Sequence, residues 1–224
     1  MDWSYNTIWY EQLEEGKFYH TVFNQTEKAW SVPNGGAYFV IDDFKPKSKC
    51  FSELKGLDYP VYLKFNRSNI TDFQGIDSFR GVKRLELHYC IKLESDAGIS
   101  DLGQDLEWLH IGNSRKFVIT DEIRSLSKLK VLCLNDCAPI ESLDFIHDFP
   151  ELVDLRFVGT NVVDGNLRQL YESETLLNVA FSNKNHFDCR YEELSNFLQP
   201  RAADAKSSVY SNGRSTFKYN LFRD

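Results

Sequence analysis

The sequence predicts an α/β solenoid: a parallel sheet built from short repeated units, with a non-repeat segment at each end. A periodic row of apolar anchors and a helical apolar spacing between them predict it. The anchors Leu63, Leu85, Leu109, Leu132, Leu155 and Val179 are separated by 22, 24, 23, 23 and 24 residues. A period of this size marks stacked units, each burying its apolar face against the next.

Four copies are clean. They carry Val82, Leu85, Leu87 and Cys90; Leu106, Leu109, Ile111 and Ser114; Leu129, Leu132, Leu134 and Cys137; and Leu152, Leu155, Phe157 and Thr160. A further apolar residue follows three positions later in each, at Leu93, Phe117, Ile140 and Val163. The alternation through the middle of each copy is that of a short strand with one face buried. Leu63 and Phe65 with Ser68 form a weaker copy before the set, and Leu176, Val179 and Phe181 one after it, where Lys184 breaks the row of small polar residues. In the intervals, Ile99 and Leu102, Ile123 and Leu126, Leu143 and Ile146 with Phe149, and Leu167 and Leu170 have the i, i+3 spacing of a helical turn laid on a core. Thr120, followed by Asp121 and Glu122, reads as the start of one such turn.

This pattern resembles the leucine-rich repeat family from Pro60 to Phe197, and Cys90 and Cys137 make it most similar to the cysteine-containing subtype. The resemblance implies about six repeats over residues 42–199, strands on a concave side and helical turns on a convex side. It also implies that Ser68, Cys90, Ser114, Cys137 and Thr160 satisfy backbone groups in the turn after each strand.

Residues 1–41 are expected to cap the N-terminal end. Trp9 to Gly16 reads as a helix ending at glycine. Phe18 to Phe23, Lys28 to Val32 and Ala37 to Ile41 read as strands, with a turn at Pro33 to Gly36 between the last two. Phe39 and Ile41 lie 24 residues before Leu63 and Phe65, so that strand also suits the opening of the repeat array. Residues 200–224 form either a short C-terminal cap, a hairpin through Val209, Asn212, Gly213 and Thr216, or a disordered tail.

The net charge is −7 and the pI about 5.3, which opposes a phosphate-dominated grip on nucleic acid and suits a basic protein partner. No stretch is apolar enough for a membrane span, and the opening residues lack the pattern of a secretory signal. The five cysteines have neither an even count nor a CxxC spacing, so a reducing, cytoplasmic setting without disulfides is expected.

Strand alternation defines three columns on the face away from the core. The first holds Tyr62, Arg84, Trp108, Val131, Asp154 and Asn178; the second Lys64, Glu86, His110, Cys133, Arg156 and Ala180; the third Asn66, His88, Gly112, Asn135, Val158 and Ser182. Aromatic and arginine side chains dominate interface energetics. The expected partner-binding surface is therefore Tyr62, Lys64, Arg84, Glu86, His88, Trp108, His110, Cys133, Asn135, Asp154, Arg156 and Asn178, with Trp108 exposed. Glu86, His110 and Cys133 adjoin in one column and define a competing reading as a thiol enzyme or metal site. The sequence has no phosphate-binding loop, nucleophile elbow, HExxH or EF-hand pattern, and its acidic clusters read as solvated faces. The expectation is a non-catalytic protein-binding module without cofactor or metal, monomeric and bound one-to-one. Its most specific form is an immunity protein that neutralises a basic toxin domain; the alternative is an adaptor or substrate-recognition subunit.

Overall fold

A computed structural model describes residues 3, 7–23, 35–54, 56–57, 59–204 and 216–218. Eight strands form one all-parallel sheet in sequence order. They are β2 (Phe18–Val22), β3 (Tyr38–Asp42), β4 (Tyr62–Asn66), β5 (Arg84–His88), β6 (Trp108–Gly112), β7 (Val131–Asn135), β8 (Asp154–Arg156) and β9 (Asn178–Ala180). The fold is thus α/β with few helices, and the strand order is solenoid-like. From β3 onward each strand pairs with the one a period later without a slip, so Leu63, Leu85, Leu109, Leu132, Leu155 and Val179 stand in one row.

From β3 to β9 each interval holds one short helical turn. These are 3₁₀ turns at Phe51–Glu53, Ile76–Phe79, Ile99–Leu102, Glu122–Ser125 and Asp144–Asp148, and a single α-turn, α1 (Gln169–Glu172). Their apolar residues join the inward side chains of the strands in one continuous core from Phe39 to Leu198. Phenylalanines crowd its first third, where Phe51 meets Phe44, Phe65, Phe73 and Phe79. Helix α2 (Tyr191–Asp204) packs on β9 and closes that end, running through Pro200 rather than stopping before it. Among the described residues no helix is long and apolar enough to cross a membrane.

The row of small polar residues after the strands works as the pattern implied, with one exception. Ser68 Oγ donates to the Phe44 carbonyl at 2.7 Å and Thr160 Oγ1 to that of Leu134 at 2.6 Å, while Cys137 Sγ lies 3.3 Å from the Ile111 carbonyl. Ser114 Oγ is buried without a hydrogen-bond partner among the described residues.

The turn expected to start at Thr120 is held from the neighbouring repeat. Asp96, fully buried, accepts hydrogen bonds from Thr120 N at 3.0 Å, from Ile123 N at 2.8 Å and from the Thr120 hydroxyl. The Asp121 side chain makes no capping bond. A carboxylate serves better here because it can accept several donors that a helical turn leaves unpaired.

The ends depart most from expectation. Trp9 to Gly16 is not a helix: β1 (Thr7–Trp9) is followed by a 3₁₀ turn at Tyr10–Gln12. The C-terminal strand β10 (Thr216–Lys218) pairs in parallel with β1. The expected strand at Lys28 to Val32, residues 33–34 of the turn after it, and Val209, Asn212 and Gly213 lie outside the described residues. β2 and β3 are members of the main sheet, which therefore begins before residue 42.

Asp96→Ala strands the buried N–H of Ile123 and the part-buried N–H of Thr120, and we expect it to lower the unfolding free energy by about 2 kcal/mol in urea denaturation. Thr120→Val, which leaves both N–H bonds in place, is expected to cost less than half as much.

Candidate functional site

Strand pairing assembles the predicted columns on the face opposite the main core. Tyr62, Arg84, Trp108, Val131, Asp154 and Asn178 stand side by side, as do Lys64, Glu86, His110, Cys133, Arg156 and Ala180. The expected exposure is not found. Tyr62, Arg84, Glu86, Trp108, Cys133 and Asp154 are completely buried, and His110 and Arg156 nearly so. Only Lys64, His88, Asn135 and Asn178 of the expected contact residues remain partly open.

The side chains of this face lock on one another. The Arg84 guanidinium lies 3.8 Å over the Trp108 ring, with Arg156 5.6 Å from the same ring. Arg84 Nε donates to Glu86 Oε1 at 2.7 Å, and Arg156 Nε to Asp154 Oδ1 at 3.0 Å. Trp108, Val131 and Cys133 form a small apolar cluster between these ion pairs. At the other end Trp3 stacks on Tyr62 and joins Ile8 and Val40 in a second cluster, so an N-terminal residue covers part of the first column.

This burial decides the chemistry of the titratable groups. Burial opposes ionisation of Glu86, but the Arg84 guanidinium, the hydrogen bond from His88 and the Lys64 ammonium outweigh it and hold the carboxyl well below its usual range. Burial, reinforced by the positive groups nearby, holds His110 well below the ordinary imidazole value, so the ring is neutral at pH 7. Burial also pushes the Cys133 thiol up to about 12. A nucleophilic cysteine needs the opposite shift. Glu86 spends its hydrogen bonds on Arg84 and His88 rather than in a Glu–His–Cys relay.

The strand alternation could not show a second set of residues, the row where the strands end. The residue after each of β3 to β7 sits at positive φ: Asp43 (54°), Arg67 (57°), Tyr89 (57°), Asn113 (58°) and Asp136 (52°). Each donates its N–H to the last carbonyl of the next strand (to Val158 in the case of Asp136), at 2.8–2.9 Å. That bond turns the chain out of the sheet and stabilises a conformation uncommon for residues with a Cβ. Arg67, Tyr89 and Asp136 are exposed, as is Val158 beside them, whereas the columns behind are closed. The periodic recurrence of non-glycine residues directly after each strand was the available sequence signal.

Compared with protein-family models, curated proteins and solved structures, the chain matches none.

The five cysteines are free and differ in environment. Burial pushes Cys90, Cys133 and Cys137 up to about 12. At Cys50 burial is outweighed by hydrogen bonds from Ser48 and Ser52, and the thiol is lowered. Iodoacetamide at neutral pH is therefore expected to label Cys50 first and to spare Cys90, Cys133 and Cys137 until denaturant is added, as read by peptide mass mapping.

Proposed function

We propose that the chain is a non-catalytic binding protein of the leucine-rich repeat kind that holds a protein partner along the rim where its strands end. In the most specific form of this reading it is a cytoplasmic immunity protein, capturing a basic toxin domain one-to-one. The observation that carries it is the rim row. Five successive strands present one side chain each from a hydrogen-bonded backbone, about 19 Å from first to last at the usual strand spacing.

Side chains on such a frame lose little freedom on binding, which favours affinity. The row is mixed in chemistry, with an exposed aromatic at Tyr89, exposed apolar side chains at Ile91 and Val158, and charges at Arg67 and Asp136. That is the make-up of a contact patch with an aromatic anchor and a polar surround. The net charge of −7 supports a basic partner, whose encounter it would accelerate. The catalytic alternative loses support because Cys133 is a buried, protonated thiol in an apolar cluster.

Co-purification with cross-linking identifies the partner, and calorimetry then measures variants. Tyr89→Ala and Asp136→Lys are each expected to weaken binding roughly tenfold or more, about 1.4 kcal/mol. Lys128→Ala, at the N-terminal side of β7, leaves affinity unchanged, as does Cys133→Ser. Unaltered affinity in both rim variants overturns the assignment of the rim, and loss of function on Cys133→Ser with full partner binding overturns the non-catalytic reading.

A further inference from the structure

One side-chain cluster on the sheet is used neither by the core nor by the rim. Glu86 and His88 lie two residues apart on β5, and His110 stands beside Glu86 on β6. Their ligand atoms all lie within 4.8 Å of one another. The two imidazoles meet edge to face with centroids 4.5 Å apart, and His88 Nε2 is 2.9 Å from Glu86 Oε2. A carboxylate hydrogen-bonded to one ring nitrogen orients the ring and leaves the other nitrogen as a lone-pair donor. In His88 that other nitrogen is Nδ1.

Gly112 shows where the donors point. A Cβ built on it would lie 3.2 Å from His110 Nε2 and 3.4 Å from His88 Nδ1, so both nitrogens face the same small space. Gly112 is not among the glycines of positive φ, so its backbone does not demand glycine. The equivalent positions on the neighbouring strands, His88 and Asn135, both carry side chains. A glycine inside a strand weakens it and marks a place where something else approaches closely.

We propose that His88 Nδ1 and His110 Nε2 bind one divalent transition-metal ion of the zinc, cobalt or nickel class, seated over Gly112, with Glu86 orienting the His88 ring from Nε2. Paired imidazoles are donors of borderline metals, which take nitrogen at about 2.0–2.1 Å. Tetrahedral ligands at that distance stand roughly 3.4 Å apart, so ring rotations of about an ångström close the set. Calcium and magnesium are disfavoured, because they need several oxygen ligands. The site offers one carboxylate, already shared with Arg84 at 2.7 Å and with Lys64 at 4.0 Å. His88 is only partly buried, which gives an ion its way in. The sequence reading placed Cys133 in this set, but the structure puts His88 there.

The test is titration of the full chain with Co²⁺, followed by visible absorption and calorimetry, with Zn²⁺ as competitor. One equivalent is expected to bind, displaced by Zn²⁺ and not by Mg²⁺ or Ca²⁺. His88→Ala removes a donor, and Gly112→Ala puts a methyl into the metal's place, against His110 Nε2 and His88 Nδ1. Each is expected to weaken uptake roughly tenfold or more, with an unchanged circular dichroism spectrum. His20→Ala, at an imidazole paired with Asp42 elsewhere on the sheet, leaves uptake unchanged. Absence of saturable Co²⁺ uptake by the parent protein overturns the proposal. So does uptake that survives both His88→Ala and Gly112→Ala, or that His20→Ala abolishes.

Discussion

Each strand from β3 to β7 pairs in parallel with the strand one period later, and this sets a side chain beside those 22–24 positions away. Main core, closed second face, imidazole cluster and rim all follow from that pairing. Because side chains alternate, a slip of one residue would exchange the two faces of a strand. The apolar row through Leu85, Leu109 and Leu132 makes such a slip costly, since it would turn three leucines out of a continuous core and bring charged residues in. The left-handed residue after each strand then fixes where pairing stops, because its N–H is already committed to the next strand.

Burial of Arg84, Glu86, Asp154 and Arg156 is unusual, because removing charges from water costs more than one ion pair returns. Here each guanidinium has both a carboxylate on its own strand and the Trp108 ring between the two pairs. Apolar residues of similar volume would give an equally dense layer with less desolvation. The pairs instead make that layer selective. A slip of two residues, which keeps every face correct, would carry Arg84 and Glu86 away from Trp108 and leave charges facing apolar neighbours. The ion pairs thus discriminate against the misalignments that the hydrophobic pattern tolerates.

The repeat, the strands, the helical turns and the three columns were legible in the sequence, because they depend on periodicity over a few residues and on pairing at a constant interval. The closure of the second face was not, since alternation says which way Trp108 points but not what lies over it. The pairing of Glu86 with His88 was legible in principle: they are two apart on one strand and share a face. Adjacency across strands drew the reading to Cys133 instead. At the N-terminus, Trp9 to Gly16 carries a helical apolar pattern, and local preference lost to a strand partner at the far end of the chain. Asp96 escaped notice for the same reason, because its donors come from the next repeat.

The parallel ladder between β1 and β10 ties residues 7–9 to residues 216–218. During synthesis the strands from β2 to β9 can pair one after another as they emerge, each new one finding its neighbour already waiting. β1 precedes all of these strands and gains its partner after them, so it stays unmatched until β10 has been made. Closure of this ladder therefore waits on every stacked strand: a chain that stalls before β10 can assemble the sheet and still lack the clasp between residues 7–9 and residues 216–218.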